Sequence, residues 1–429
     1  MNIESLYQIY LKHPFIQTDT RKLKEGEMFF ALKGEHFNGN LFASSALEKG
    51  AAAVILDEDP GFTDNRIILT NNVLETLQAL AKHHRQQFKI PFLAITGSNG
   101  KTTTKELIHA VLSSHYKTYT TEGNLNNHIG IPLTLLKVKS NAEIAVIEMG
   151  ANHQKEIAGY CEYVLPTHGL INNVGKAHLE GFGGLEGVKK GKGELYDYIR
   201  AQGGCIFINN DLDYLHEMSA GIKNTYTYGS RNSNVNGILT EQNPYLKVLI
   251  TNPEMTGTIC TKLVGDYNTP NVLAAVAVGT YFNVPAEKIR SAIENYLPSN
   301  SRSQLIKWKS NEIILDAYNA NPTSMKAAIE NFAQRPGDCK VLMLGAMAEL
   351  GSESLEEHQT IINLIQKYDW TKVVLVGGDF GKTNHPFLFF TDSESAGSWF
   401  EAQQFENTAL LIKGSRSSRM EKIISNIHG

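Results

Sequence analysis

The chain has little cysteine: four residues in 429, at Cys161, Cys205, Cys260 and Cys339. No two form a Cys-x-x-Cys pair and no histidines cluster beside them, which excludes a zinc knuckle and a disulfide framework; core thiols are the expectation. Long hydrophobic runs are also missing. No stretch approaches the ~20 apolar residues of a membrane-spanning helix, and Met1-Asn2-Ile3-Glu4-Ser5 lacks the basic start of a leader. Nor is there an excess of charge of one sign. Forty Lys and Arg stand against 44 Asp and Glu, a formal net charge of -4, so the chain has no general attraction to nucleic acid or to an anionic membrane. The reading is a soluble, cytoplasmic protein with no nucleic-acid partner and no membrane insertion. It has no heptad stripe for association, which makes a monomer the expectation. Internal repeats and low-complexity tracts are absent as well.

What is present is length and apolar content. With 429 residues, of which 42% are hydrophobic, the chain exceeds one core and divides into two or three domains. Residues 1–84 carry short β-like runs, Met28 to Leu32 and Ala52 to Leu56, around an Ala-rich helical stretch from Phe42 to Lys49. They read as a small α/β module. A helical stretch from Val73 to Phe88 follows. Residues 85–299 then carry apolar runs at Phe92 to Thr96, Ile144 to Ile147, Leu170 to Val174 and Cys205 to Ile208, with helical patterns between, which predicts a mostly parallel, doubly wound sheet. Alternation between Val235 and Val264 predicts an antiparallel insertion, and helices are expected over Asn271 to Phe282 and Ala286 to Tyr296. Leu297-Pro298-Ser299-Asn300-Ser301 reads as a linker and hinge. Residues 300–429, with runs at Ile313 to Leu315, Val341 to Leu344, Val373 to Val376 and Leu410 to Ile412, predict a second, Rossmann-like α/β domain.

The densest chemical signal is Ile95-Thr96-Gly97-Ser98-Asn99-Gly100-Lys101-Thr102-Thr103-Thr104, a small-residue loop between a buried run and a helix-compatible one. Glycines let backbone N–H groups close on a phosphate, and the helix N-terminus adds positive potential. Lys101 reaches the terminal phosphates, and a hydroxyl of Thr102 or Thr103 can hold Mg²⁺. The longer form of this motif would place glycine at Ile95, so this is the compressed Gly-x-x-Gly-Lys-Thr form.

An acid at a strand end near such a loop can position Mg²⁺, and Glu148, closing Ile144-Ala145-Val146-Ile147, fits. Two further polar segments follow buried runs, Asn172 to Gly183 and Lys189 to Glu194. On chemistry alone His178 is either a metal ligand or a surface loop residue, and the lysines around 190 are a solvated basic face.

These residues together are similar to the Mur ligases, ATP-dependent amide-forming enzymes of peptidoglycan precursor synthesis, in blocks from residue 18 to residue 421. The resemblance implies three domains: a uridine-nucleotide module, a central P-loop ATPase-like domain and a C-terminal amine-substrate domain. It implies UDP-MurNAc-tripeptide and D-alanyl-D-alanine as substrates, with ATP and Mg²⁺ as cofactors. Gly97, Ser98, Asn99, Gly100, Lys101, Thr102 and Thr103 would bind the nucleotide phosphates, and Lys101 would also be catalytic. Thr102, Glu148, His178 and Lys192 would hold the metal, Lys192 as a carbamate, since CO₂ addition turns an ammonium into an anionic oxygen ligand. Asn268 and Asn271 fall at the adenine-contacting segment, and Arg302, Asp316 and Tyr318 complete the nucleotide site.

For the other substrates the resemblance implies Thr18, Asp19, Thr20 and Arg21 with Lys33 and Gly34 at the uridine end, and Asn124, Asn126 and Asn127 at the acceptor segment. Asn319, Asn321, Lys413, Ser415 and Arg416 fall in the closing domain. Met347-Ala348-Glu349-Leu350-Gly351 is a further family mark. Two departures stand out: Ala346 where an acid is common, and Asp266-Tyr267 in place of a basic-His pair. The competing readings are a sister ligase that adds one amino acid, a folylpolyglutamate synthase relative, and a nucleotide-dependent switch that makes no amide.

Overall fold

The computed structural model describes residues 2–252, 255–298 and 301–428; Ser299 and Asn300 of the expected linker lie outside the described residues. Three sheets organise the chain. In the first, Ile16–Gln17, Met28–Phe30, Ala53–Leu56 and Ile67–Leu69 lie side by side in that order, all parallel. The expected runs at Met28 and Ala52 are the two inner strands, fully buried as continuous apolar segments should be.

Two helices fasten this module to the middle one. Ile3–Lys12 begins with Asn2 accepting from Ser5 N, and Val73–Arg85 begins with Asn72 accepting from Glu75 N. Tyr10 at one end donates to Leu136 O, while His84 and Arg85 at the other reach Val138 O and Val164 O at 2.8 Å each.

The middle sheet has nine strands in the spatial order Gly257–Cys260, Lys247–Ile250, Val235–Glu241, Asn224–Gly229, Cys205–Asn209, His168–Ile171, Phe92–Thr96, Ile144–Glu148 and Thr118–Thr120. All neighbours are parallel except the two pairs at the first edge. The expected antiparallel insertion is therefore a continuation of the main sheet, joined through Tyr228 opposite Val235. The run expected from Leu170 to Val174 forms a strand only over His168–Ile171. Asn172 and Asn173 lie beyond the sheet, the first donating from Nδ2 to Thr104 Oγ1 and the second accepting at Oδ1 from Asn99 N.

After Phe92–Thr96 the chain visits the Thr118 edge and Ile144–Glu148, then returns to His168–Ile171 on the other flank. The order thus reverses at Phe92–Thr96, and such a reversal opens a crevice at the carboxyl ends of the strands. The third sheet runs Gln304–Trp308, Asn311–Asp316, Ala409–Lys413, Lys340–Gly345, Lys372–Val376 and Leu388–Phe390, antiparallel only in its first pair.

The four cysteines are free. Cys161 and Cys205 are buried as expected, but Cys260 and Cys339 are exposed. Cys260 ends an edge strand on the face opposite buried Ile259, and Cys339 precedes the strand Lys340–Gly345.

Candidate active site

Phe92–Thr96 delivers the loop Gly97 to Gly100 to the crevice, and the helix Lys101–Ser113 starts directly after it. The two glycines are needed. Gly97 and Gly100 have φ of 145° and 78°, and a Cβ on them would fall 2.9 Å from Asn172 Cβ and 2.7 Å from Asn271 Oδ1. The loop is bolted to the segment after His168–Ile171: Ser98 N donates to Asn173 O, Gly175 N to Ser98 Oγ, and Asn99 N to Asn173 Oδ1 at 2.9 Å. Lys101 folds back on the loop, with Nζ 2.6 Å from Gly97 O, and burial pushes its ammonium below the ordinary lysine value while Glu148 opposes that shift.

Glu148 is 1% exposed and ends its strand beside the loop. Its Oε1 accepts from Thr102 Oγ1 at 3.1 Å and from Asn126 Nδ2 at 2.7 Å, whereas buried Oε2 has no partner. A buried carboxylate oxygen without a donor is costly unless a cation or water satisfies it. Thr102, rather than Thr103, makes the contact to this carboxylate.

Asn271 links the nucleotide-side helices, donating to Asn268 Oδ1 at 2.8 Å and accepting from Thr104 Oγ1 at 2.9 Å. Tyr267, in one of the two departures, is half-buried, lines the crevice and hydrogen-bonds Ser303 Oγ at 3.0 Å.

The third domain closes the crevice. Asn321 starts the helix Pro322–Ala333 with a reciprocal capping box, and its Nδ2 reaches across to Asn99 Oδ1 of the loop at 2.8 Å. Arg302 lies over the Tyr318 ring at 3.6 Å and Arg416 at 5.5 Å, a stacked pair of guanidinium faces on one aromatic. Lys413, 2% exposed, is neutralised by Asp316 at 2.6 Å. The cavity in this crevice measures about 850 Å³ and gathers most of the expected nucleotide residues, Ser98 to Thr103, Asn268, Asn271, Arg302, Asp316 and Tyr318, with Glu148 and His178. Asn124, Asn126, Asn127, Asn319, Asn321, Lys413 and Arg416 line it too.

Several expected residues lie elsewhere. Lys192 does not line the cavity. Far from a solvated basic face, it is fully buried in the helix Leu185–Gln202 behind Ala151, with Nζ donating to Ala151 O at 3.1 Å and 5.0 Å from the centre of the Phe182 ring. Lys189, by contrast, pairs with Glu217 near the surface. Burial, reinforced by the charge of Lys101, holds the Lys192 amine well below the ordinary lysine value. Ser415 is buried, with its hydroxyl on Ala346 O at 2.5 Å. Ala346, where an acid is common, is buried against Gly378, on which a Cβ would lie 2.4 Å from Ala346 Cβ.

Thr18 to Arg21 belong to the first module, away from the cavity. There Arg21 holds the Asp19 carboxyl down at about 2. Lys33 is paired with Asp57 at 2.9 Å and Glu58 at 2.8 Å, beside a surface hollow lined by Lys33, Gly34 and Phe37.

Sequence reading gave no role to Asn173, Thr323 or Glu349, all of which line the cavity. Asn173 was signalled by its place directly after a buried strand, and Glu349 by its family block. Thr323 carries no signal in the sequence.

Comparison with known proteins agrees with this architecture piece by piece. The family described as "Mur ligase family, catalytic domain" matches residues 13–91, "Mur ligase middle domain" residues 95–279, and "Mur ligase, glutamate ligase domain" residues 301–416. The UDP-N-acetylmuramoyl-tripeptide--D-alanyl-D-alanine ligase of Bacillus subtilis (strain 168) is 34% identical over 425 residues, covering 96% of this chain and 92% of its own length. The chain belongs to the Mur ligase family. Among solved structures, a MurF from Acinetobacter baumannii superposes with a TM-score of 0.89 at 28% identity, over 99% of this chain and 98% of that one. A MurF ligase from Thermotoga maritima in complex with ADP gives 0.86 at 26% identity, over 96% of each chain. The α/β fold in three Mur ligase domains expected from the residues is thus the observed one. Among the described residues, no helix is long and apolar enough to cross a membrane.

Proposed function

We propose that the protein joins D-alanyl-D-alanine to UDP-MurNAc-tripeptide, using ATP, to give the UDP-MurNAc-pentapeptide precursor of peptidoglycan, and that it does so as a cytoplasmic monomer. The observation that carries this reading is the end-to-end similarity to ligases of that name, joined to one cavity shared by a phosphate loop and a closing domain. In this reading residues 1–84 hold the uridine nucleotide, 85–299 hold ATP and the tripeptide carboxylate, and 300–429 bring the dipeptide.

A carboxylate is a poor electrophile because its oxide leaves badly. Phosphorylation by ATP supplies the leaving group: a carboxylate oxygen attacks the γ-phosphorus and ADP departs. The dipeptide amine then attacks the acyl carbon, the amide bond forms and phosphate leaves with the electron pair. Lys101 holds the γ-phosphate, and the N-terminus of the helix Lys101–Ser113 adds partial positive charge. Arg302 and Tyr318 flank the nucleotide beside Asn268 and Asn271.

The donor set around Glu148 suits Mg²⁺: an unpartnered buried carboxylate oxygen, a hydroxyl bonded to the same carboxylate and a histidine on the same cavity. Thr102, Glu148, His178 and a carbamylated Lys192 would hold it. Such an ion offsets the repulsion between phosphate and carboxylate. The Lys192 environment suits the modification, because only a neutral amine adds CO₂, forming the N–C bond and releasing a proton. Closure of the third domain, through Asn321 on Asn99, excludes water from the acyl phosphate. The test is to supply single amino acids in place of the dipeptide. Product formed with the dipeptide alone supports the assignment, and product formed with one amino acid moves the protein to a sister ligase.

A further inference from the structure

The segment that carries His178 belongs to the middle domain, yet the third domain grips it at every turn. Lys176 N donates to Thr323 Oγ1 at 3.0 Å, and Lys176 Nζ neutralises Glu357, a carboxylate only 5% exposed. Glu180 N donates to Glu349 O at 3.4 Å, and a Cβ on Gly351 would lie 3.1 Å from Glu180 Cβ. At the centre of this grip His178 Nδ1 lies 2.5 Å from Glu349 Oε2, at ion-pairing distance although off the alignment of a good hydrogen bond. Both residues hold left-handed backbone, with φ of 53° and 62°, a strained state for a non-glycine residue that persists only where its surroundings enforce it. For His178 those surroundings come largely from another domain.

We infer that Glu349 is a positioning residue: by engaging His178 Nδ1 it fixes the ring with Nε2 free for the metal, and it does so only when the third domain is closed. This rests on the reading of His178 as a metal-holding residue. A carboxylate on one imidazole nitrogen sets the tautomer and raises the basicity of the other. Because the carboxylate arrives with the domain that brings the amine, ATP bound to the middle domain alone meets an incomplete charge-compensating site. The device therefore restrains hydrolysis until the acceptor domain is in place.

The test uses the full chain with ADP and Mn²⁺, following free Mn²⁺ by electron paramagnetic resonance alongside turnover with Mg²⁺. Glu349→Gln keeps the shape and removes the charge. It is expected to weaken Mn²⁺ binding and lower kcat by roughly 10- to 100-fold each, with KM for D-alanyl-D-alanine within about twofold of the parent. Glu349→Asp should recover part of both losses, and thermal melting checks that each variant folds. Unchanged Mn²⁺ binding in Glu349→Gln, or a loss confined to KM for the dipeptide, overturns the inference. His178→Ala separates the two levels. If it abolishes Mn²⁺ binding while Glu349→Gln leaves binding unaltered, only this inference fails; if it leaves binding intact, the metal reading of His178 fails with it.

Discussion

Lys101 and Lys192 show how one residue type meets two different surroundings, which suit the two roles proposed for them. Lys101 sits at a helix start with its amine on Gly97 O, a place where it can transfer from backbone carbonyls to phosphate oxygens. Lys101→Ala is expected to lower turnover by roughly 10³-fold or more, because a phosphate-clamping charge in a dry site is worth several kcal/mol. Single-turnover phosphate release measures it, with retained binding of the uridine substrate as the control. Lys192 is fully buried with its amine held low. Its neutral fraction is therefore present at a lower pH than for a free lysine and disappears as pH falls through the depressed value. Activity that depends on its carbamate should fall over the same window, drop in CO₂-free buffer and return with bicarbonate. Lys192→Ala is expected to be nearly inactive and partly rescued by acetate. Full activity of Lys192→Ala would contradict the carbamate.

At the scale of elements, strands and helices placed the site where their apolar patterns put them, and the exceptions have physical causes. Thr118–Thr120 and Asn224–Gly229 join the central sheet without an apolar run, because an edge strand and a half-buried strand tolerate Thr, Tyr and Asn. The run at Leu170 stops at Ile171, after which Asn172 Nδ2 donates to Thr104 Oγ1 of the helix Lys101–Ser113 and Asn173 Oδ1 accepts from Asn99 N of the glycine loop. One strand also makes a pH prediction. His168, among Phe207, Tyr281 and Phe282, has its imidazole pushed down to about 4 by burial. The unfolded chain takes up that proton near 6.5 and the folded chain does not until about 4, so stability falls as pH drops through this window. His168→Gln should flatten the loss, as urea denaturation at about pH 7.5 and about pH 5 would show. Asn321→Ala removes a helix cap and should cost about 1 kcal/mol of stability. Its loss of activity should exceed what that destabilisation explains, because the bridge to Asn99 goes too; parent-like turnover would argue against closure through this contact.

For the whole molecule, the family blocks named many of the residues that line the cavity, though Lys192 and Ser415 do not, and said nothing of how the domains meet. The Asn321 bridge to Asn99, the Lys176 pair with Glu357 and the His178 pair with Glu349 join residues 171 or more positions apart, and no local pattern marks them. The sequence separates them and folding brings them together, so the closed arrangement was legible only as a linker and a guess at a hinge. The central claim is a synthesis that needs both carboxyl and amine partners, since the middle and third domains both line the cavity. Phosphate release with ATP and Mg²⁺ tests it most directly, with UDP-MurNAc-tripeptide and D-alanyl-D-alanine supplied separately and together and the product weighed by mass spectrometry. The account predicts release only with both, with a UDP-MurNAc-pentapeptide mass. Release with neither substrate would contradict it.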